Sequence, residues 1–386
     1  MKHPAGPFFN TPVQRTHLAR ERFFEQGQRP TGMVPESVIQ SWTRCLATGL
    51  QPQQRPEFEP VTRARAKAVL ERGQPLLQSA AAELDQLDAM LASTGCKTLL
   101  TDRDGIVLRA TPANAGAGAL LDSIGRVGVY LGEPNFGSTA PGISLSAAQD
   151  CAVAGAEHFF GVLQSLYCAA APVRDPLGRV VGVLDVSVEG KPFAFDALAL
   201  VRLCTAGIEN RLLSQQAGAD LVLCFQVDAA LLGTPLEGRA VVSGDGRLMG
   251  MNAAASRLLQ VDSVGPGDDA GTLLGLTPVE IDRLRNRSHP RQPHARTQAQ
   301  AHAQAHHLPS GLRVWLRADA PDAPSLPKAR LPSLRDTNDQ LINYTLRDCQ
   351  GNIAQAARQL GVSRGLLYRR LQRRSGTETD TNPGTD

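Results

Sequence analysis

The sequence is poor in aromatic residues and contains no long apolar run. Aromatics make up 4% of the 386 residues, so leucine, valine and alanine must provide most of the packing. No apolar run approaches the roughly 18–20 residues that a membrane-spanning helix needs. The first 30 residues show no basic segment followed by an apolar one, the pattern of a signal peptide. We therefore expect a cytoplasmic protein without a membrane partner.

The cysteines and histidines form no metal-binding or redox motif. The seven cysteines are odd in number and contain no C-x-x-C pair, which favours reduced thiols over a disulfide framework. Five of the eight histidines lie between 289 and 307, but their spacing is irregular and no cysteine or carboxylate cluster is near. We expect no metal, no other cofactor and no catalytic residue.

Positive charge is concentrated near the end of the chain. The net charge is only +3, yet eight arginines face three aspartates between residues 335 and 374. The rest of the chain is therefore slightly acidic. A local surplus of this kind indicates a segment that contacts nucleic acid.

The same segment has the helix-capping and helix-ending residues expected of a helix-turn-helix, in the stretch "GNIAQAARQLGVSRGLLYRRLQRR". Gly351 follows a first helix, Asn352 caps a second, Gly361 ends it, and Ser363 caps a third. In the third helix Leu367 faces inward, which leaves a basic face suited to a major groove. The expected DNA-binding residues are Ser363, Arg364, Tyr368, Arg369, Arg370, Gln372, Arg373 and Arg374. The alternative is a solvated basic helix that caps a bundle.

Two α+β units precede this segment. Residues 34–93 are predicted to be helical, and strand patterns then begin at Cys96 with "CKTLLTDRDGIVLRA". Further strands, "CAVAG", "LYCAAAPVRD" and "RVVGVLDVSVE", and a closing helix from Asp196 to about Gln216 complete an antiparallel sensor-like unit. A second unit is predicted from "GRAVVSGDGRLMGMNAAASRLLQ" and the late strand "GLRVWLRAD".

Both ends of the chain resemble known regulators. The segment 351–374 is similar to the C-terminal helix-turn-helix of the Fis family, and the pieces "SWTRCLATGLQP" and "AEHFFGVLQSLYCAAAPVRDPLGRVVGVLDVS" resemble the sensory region of the acetoin catabolism regulator family. The resemblance implies an α+β multidomain fold with a GAF-like sheet domain, a small PAS-like domain and an all-α Fis-type reader.

The resemblance also implies a homodimer on a dyad-symmetric operator in double-stranded DNA. The expected segments are a loosely ordered N-terminus (1–33), a helical lead-in with the GAF-like sensor (34–218), a PAS-like unit (219–320) with a low-complexity loop (286–308), a Pro-rich linker (321–332), the helix-turn-helix (333–374) and a disordered tail (375–386).

The expected effector pocket lies in the GAF-like unit. Where the family carries a W-[ST]-E-x-x-x-G-T-N-x-x-G-T-x-L stretch, this chain has "LGEPNFGSTAPGISL", with Leu131 for the tryptophan and Thr139 for the asparagine. The sequence therefore leaves two alternatives open, an effector that differs from that of the family or no effector. The candidate ligand-binding residues are Tyr130, Glu133, Phe136, His158, Phe159 and Cys168. Each also has a plainer interpretation as a core or loop residue.

The chain has no Walker A motif of the form G-x-x-x-x-G-K-[ST]. Its one Gly-Lys pair is followed by Pro192, and no stretch resembles the G-A-F-T-G-A loop of sigma-54 activators. We expect a transcription regulator that senses a small effector without ATP hydrolysis and acts by repression, by recruiting RNA polymerase, or by competing for a site. The rivals are a DNA-architectural protein with a ligand-free dimerisation scaffold, and an enzyme that uses Cys151 or Cys168 as a thiolate.

Overall fold

The computed structural model describes residues 11–111, 118–218, 220–265, 268–287 and 303–319, together with Ile353 and Gln355. The chain divides into two units, Met1–Ala323 and Pro324–Asp386, and the fold below belongs to the first. Ile353 and Gln355 are helical. The other residues of the predicted helix-turn-helix, including all eight candidate DNA-binding residues, lie outside the described residues.

Four helices open the chain: α1 Pro12–Phe24, α2 Glu36–Ala47, α3 Arg63–Arg72 and α4 Gln74–Leu91. The prediction of a loosely ordered N-terminus was wrong for α1. Thr11 caps this helix by accepting from the Gln14 amide, and Pro12 occupies the first turn, where its missing N–H costs nothing. The Phe24 ring then packs 5.0 Å from the Trp42 ring, which fixes α1 on the body of the protein.

The first sheet is antiparallel throughout and has the order β2-β1-β5-β4-β3. Its strands are β1 Lys97–Asp102, β2 Val107–Ala110, β3 Cys151–Ala154, β4 Leu166–Arg174 and β5 Val180–Glu189. The predicted strand, Asp-Gly turn and strand after Cys96 are confirmed as β1 and β2. The turn is closed by Gly105, whose φ of 88° favours glycine.

Helices cover both faces of this sheet. Three short helices lie on the inner face together with α1 and α2, and they are α5 Ala119–Ile124, α6 Glu133–Phe136 and α7 Ala140–Ala147. The outer face packs against α4 and the long helix α8 Ala197–Ala217. The predicted closing helix is confirmed as α8, and Asp196 caps it by accepting from the Ala199 amide. Four leucines of α4 are buried in this layer: Leu76, Leu84, Leu87 and Leu91.

A second antiparallel sheet has the order β8-β7-β6-β10-β9. Its strands are β6 Leu221–Gln226, β7 Gly238–Val242, β8 Leu248–Met251, β9 Gln304–His307 and β10 Arg313–Asp319, and its helices are α9 Ala253–Leu259, α10 Ala270–Leu274 and α11 Pro278–Arg287. Strand β9 lies inside the predicted low-complexity loop, which corrects that prediction for four residues. The strand forms because β10 offers a free edge, although its own sequence, QAHH, has no apolar alternation.

Helix α8 and the turn between β4 and β5 join the two sheets. Residues on the C-terminal part of α8 pack against the second sheet, and the Pro176 carbonyl in the turn accepts from the Met251 amide at 2.8 Å. Glu209 on α8 is buried and accepts from the Arg174 amide at 2.9 Å. The fold is therefore α+β with two antiparallel sheets. None of the helices in the described part of the chain combines the length and apolarity needed to cross a bilayer.

Candidate effector site

The register of the first sheet gathers polar side chains on its inner face. Cys151 pairs with Ala170 and Ala170 with Asp185, while one pleat further along Cys168 pairs with Ser187. Side chains two residues apart on a strand share a face, so both rows point toward α5–α7. With His158, which follows β3, they form a buried set that we call the inner polar cluster: Cys151, His158, Cys168, Asp185 and Ser187.

Asp185 is the only carboxylic acid in this cluster, and it is fully buried. Its Oδ2 accepts from Ser187 Oγ at 2.7 Å, but its Oδ1 has no hydrogen-bond partner among the described residues. Burial raises the pKa of Asp185 to about 7, against the smaller opposing effect of the Ser187 hydrogen bond. A buried polar atom without a partner costs about 1–3 kcal/mol. Asp185 Oδ1 is therefore an acceptor for which the protein itself supplies no donor.

His158 and Cys168 form a neutral pair. The His158 Nδ1 lies 3.0 Å from the Gly155 carbonyl, which assigns the ring proton to Nδ1 and leaves Nε2 as an acceptor for the Cys168 thiol at 3.5 Å. Burial lowers the pKa of His158 to about 4 and raises the pKa of Cys168 well above its usual range. The geometry therefore stabilises an imidazole and a thiol rather than the imidazolium and thiolate that a nucleophilic cysteine requires.

Helix α7 lies over the cluster, packed against β4 and β5. The Cys151 thiol donates to the Ala140 carbonyl at 3.2 Å, so α7 contacts the cluster directly. Ser144, one turn further along α7, is fully buried, and its Oγ has no partner among the residues the structure describes. The layer between sheet and helix thus holds two polar groups with unused hydrogen-bonding capacity, Asp185 and Ser144.

Two of the predicted ligand residues belong to the cluster, and two more contribute to its apolar surroundings. His158 and Cys168 are in contact, as described above. Phe136 and Phe159 are completely buried in the same hydrophobic core as Cys151 and Cys168. The walls around the cluster are consequently apolar.

The remaining two predicted residues lie apart from the cluster. Glu133 accepts from Arg44 through both oxygens, at 2.7 Å from Nε and 2.6 Å from a terminal nitrogen, and also from Ser41 at 2.6 Å and Ser146 at 3.1 Å. This carboxylate therefore ties α2 to α6 and α7. Tyr130 packs against the core on the α4 and α8 side of the sheet.

Helices α1 and α2 hold the chain that carries His158. The Arg20 guanidinium on α1 donates to the His158 carbonyl at 2.6 Å and to the Phe159 carbonyl at 2.5 Å. Trp42 on α2 donates through its indole N–H to the Glu157 carbonyl at 2.8 Å. The segment with the imidazole is therefore fixed by charge-assisted and indole hydrogen bonds from the first two helices.

Asp185, Ser187 and Ser144 were missed by sequence reasoning. The signal for the first two was an aspartate and a serine, two positions apart, inside the otherwise apolar strand "GVLDVSVE". Such polar residues in a buried strand must be paired or functional. Ser144 has no comparable signal, because serine is common in exposed helices.

A surface cleft of about 820 Å³ lies elsewhere, between α1, the end of α2 and residues 51–53. No member of the inner polar cluster lines it. We locate the candidate site at the cluster rather than in the cleft. The buried Asp185 Oδ1 lacks a hydrogen-bond donor among the described residues, and a bound ligand can supply one. Within the described residues, no group of three or more histidine, cysteine or acidic side chains is arranged to hold a metal ion.

Comparisons with known proteins cover both ends of the chain. The profile described as "MimR, N-terminal domain" matches residues 11–210, and the profile described as "Bacterial regulatory protein, Fis family" matches residues 333–373. The second match coincides with the arginine-rich segment that the sequence identified. It bears out the Fis-family resemblance.

Two curated relatives are similar over much of the chain. The acetoin catabolism regulatory protein of Cupriavidus necator is 30% identical over 62% of this chain and 36% of its own length. The propane 2-monooxygenase operon transcriptional activator MimR of Mycolicibacterium smegmatis is 30% identical over 50% of this chain and 32% of its own length. The chain thus spans about a third of the length of these relatives.

Among solved structures, the crystal structure of the E. coli DhaR(N)–DhaL complex aligns with 74% of this chain and 99% of that chain, with 17% identity and a TM-score of 0.45. The N-terminal profile alone covers more than half of the 386 residues, from α1 through most of α8. One of the two curated relatives is named as a regulatory protein and the other as a transcriptional activator. The chain belongs to the family of proteins that carry the MimR N-terminal domain.

Proposed function

We propose that the chain is a sequence-specific DNA-binding transcription regulator whose first α+β unit senses a small effector. The observation that carries the proposal is the match of residues 333–373 to the Fis family, and these residues contain seven arginines and three aspartates. Guanidinium groups on one helix face can donate to guanine edges and to phosphates. The two curated relatives are named as a regulatory protein of acetoin catabolism and as the transcriptional activator of a propane 2-monooxygenase operon.

In this proposal the first sheet is GAF-like, the second sheet is PAS-like, and the protein binds a dyad-symmetric operator as a homodimer. The effector occupies the inner polar cluster, where Asp185 and Ser144 offer unused hydrogen-bonding capacity inside apolar walls. The neutral state of the Cys168 thiol argues against the rival thiol enzyme.

We infer that the contacts between the two sheets carry the effect of the bound effector from the first sheet to the second. Strand β5 carries Asp185 and continues through its turn to Pro176, which is hydrogen-bonded to Met251 of β8. Helix α8 adds a second connection, because Asn210 accepts from the Asn252 amide group at 2.6 Å. A coupling of about 1–3 kcal/mol between the two sites changes DNA affinity about 5- to 150-fold. Such coupling requires no ATP hydrolysis, and the output is repression, recruitment of RNA polymerase or competition for a site.

The test is DNA binding by the purified full chain to genomic fragments at moderate salt. We expect selection of a small set of dyad-symmetric sites. Arg364→Ala is expected to relax base preference and to weaken binding by about 1–3 kcal/mol, because a bidentate base contact is lost. The matched control, Arg373→Ala, is expected to weaken binding to all sequences and to lower the salt slope by about one. A chain that selects no fragment, or equal effects of the two substitutions, contradicts the proposal.

A further inference from the structure

The unpartnered oxygen of Asp185 points to the chemistry of the effector. The residue is fully buried, and one of its two oxygens is occupied by Ser187. No described residue donates to the other oxygen, and the core on this face of the sheet is formed by apolar side chains with Cys151 and Cys168. Lys97, opposite Ser187 on β1, is paired with Asp122 at 2.8 Å. Buried polar groups are almost always hydrogen-bonded, so a free carboxylate oxygen marks a place where a donor is missing.

The surroundings restrict what can bring that donor. An anionic ligand would face the Asp185 carboxylate in a low-dielectric layer, so anions are excluded. An ammonium group has three donors and needs a partner for each when buried, but the cluster leaves few acceptors unused, since the Gly155 and Ala140 carbonyls already accept from His158 and Cys151. A hydroxyl group has a single donor, and that donor matches the single free oxygen of Asp185.

The walls restrict the rest of the ligand. Ile143 and Val153 are fully buried beside Phe136 and Phe159, and Ala170 separates Cys151 from Asp185 in the same row of the sheet. Apolar side chains favour a hydrocarbon skeleton by about 25 cal/mol per Å² of buried surface. The close packing of α7 against β4 and β5 favours a short one.

We propose that Asp185 Oδ1 anchors the hydroxyl group of a small uncharged alcohol, with Ser187 holding the carboxylate in position and the core side chains enclosing the carbon skeleton. This inference rests on the proposed function, because it specifies the ligand of the same effector site. It also assigns Asp185 as the residue that determines ligand specificity. Neither the anchor nor the hydroxyl requirement follows from the residues predicted by sequence.

The substitution Asp185→Asn tests the anchor with little change of shape. Ser187 donates to the carbonyl oxygen of the new amide, so its NH₂ group takes the place of the free Oδ1. An acceptor thereby becomes a donor. The preference of the site is then expected to reverse, from a ligand that donates to one that accepts.

The probes are four compounds with the same carbon skeleton: 2-butanol, 2,3-butanediol, 2-butanone and sec-butylamine. Binding to the full chain is measured by thermal shift and by isothermal titration calorimetry. At pH 8.5, above the Asp185 pKa of about 7, the carboxylate form predominates, and wild type is expected to bind 2-butanol or 2,3-butanediol on the order of tenfold or more tightly than 2-butanone, which lacks a donor. Asp185→Asn is expected to lose that preference or to favour the ketone. Glu209→Gln is the matched control, because it neutralises another buried carboxyl outside the cluster and is expected to keep the wild-type preference.

The inference is overturned if wild type binds none of the four probes, if it binds the ketone or the amine best, or if Asp185→Asn keeps the preference for alcohols. Any of these results, obtained with a chain that still selects genomic fragments, leaves the proposed DNA-binding function intact. Conversely, a chain that binds alcohols through Asp185 but selects no DNA contradicts the proposed function and not the anchor.

Discussion

The two sheets bury carboxylates in opposite ways. In the second sheet, Glu237 is completely buried between Arg239, at 2.5 Å, and Arg317, at 3.0 Å, and Arg317 also pairs with Asp319. Two acids and two arginines balance each other there. In the first sheet, Asp185 has no cationic partner among the described residues, and Ser187 is its one hydrogen-bond donor. Both oxygens of Glu237 are therefore paired with arginines, whereas Asp185 Oδ1 accepts from no described residue.

This difference shows why burial alone does not identify a binding site. Asp185 lies on β5 and Glu237 immediately before β7, and both are fully buried. What distinguishes them is whether the protein supplies all the hydrogen-bond donors. A network that is already satisfied specifies the fold, while an unsatisfied group leaves a place for a ligand.

The largest effect is expected from Glu237→Ala. This substitution leaves Arg239 and Arg317 buried with one carboxylate fewer, and breaking a buried ion pair costs about 3–5 kcal/mol. The free energy of unfolding, measured by urea denaturation, should fall by that amount. A fall below about 1 kcal/mol would show that the second-sheet network is solvated and would remove the contrast with Asp185.

Unlike Glu237→Ala, the substitution Asp185→Asn should raise the free energy of unfolding at neutral pH. Because the folded pKa of Asp185, about 7, lies above its usual 3.8, the folded state binds this proton more tightly than the unfolded chain. Its contribution to stability is complete below about pH 3.8 and is lost as pH rises through 7. Wild type should therefore lose on the order of a few kcal/mol relative to Asp185→Asn between pH 4 and pH 7.5.

The measurement for this prediction is urea denaturation of both proteins at each pH. The control is Asp175→Asn, whose carboxylate in the turn between β4 and β5 is paired with Arg179. That control should lose stability near neutral pH, because it removes an ion pair. Parallel stability curves for wild type and Asp185→Asn would mean that Asp185 has a donor in the folded protein.

A smaller effect is expected from Ser41→Ala. Ser41 is buried and donates to Glu133, a predicted ligand residue that Arg44 and Ser146 also bind. Loss of one hydrogen bond to a charged group that keeps its other partners should cost about 1–2 kcal/mol in the free energy of unfolding. Because Glu133 ties helices together, the affinity for 2-butanol should be unchanged. If Ser41→Ala also weakened the binding of 2-butanol, Glu133 would instead belong to the effector site.

Local signals made much of the architecture predictable. The Asp-Gly turn after Asp102 and the capping aspartate at Asp196 both fixed the elements beside them, since each depends on residues close in sequence. Helix α1 was missed because its sequence is polar and contains a proline. Only a few of its side chains, Phe24 among them, are apolar and pack on Trp42. Strand β9 was missed because it depends on the edge of a distant strand.

The site was harder to predict than the elements that build it. His158 and Cys168 were identified from residue type and from their position near strand ends, and the structure brings them into contact. Asp185 became significant only through the pairing of β3, β4 and β5, which sets it on the same face of the sheet as Cys151 and Cys168. That register is long-range information, because strand pairing depends on the whole sheet. Whether a buried oxygen lacks a donor likewise depends on every neighbour at once.

The most direct test is a titration of full-length protein on a DNA fragment that it selects, with and without 2-butanol, for wild type and Asp185→Asn. The account predicts that the alcohol changes the affinity of wild type for this fragment about 5- to 150-fold and that of Asp185→Asn by a smaller factor, because an amide NH₂ group cannot accept the hydroxyl proton. Equal DNA affinity of wild type with and without the alcohol, or the same shift in both proteins, would contradict it.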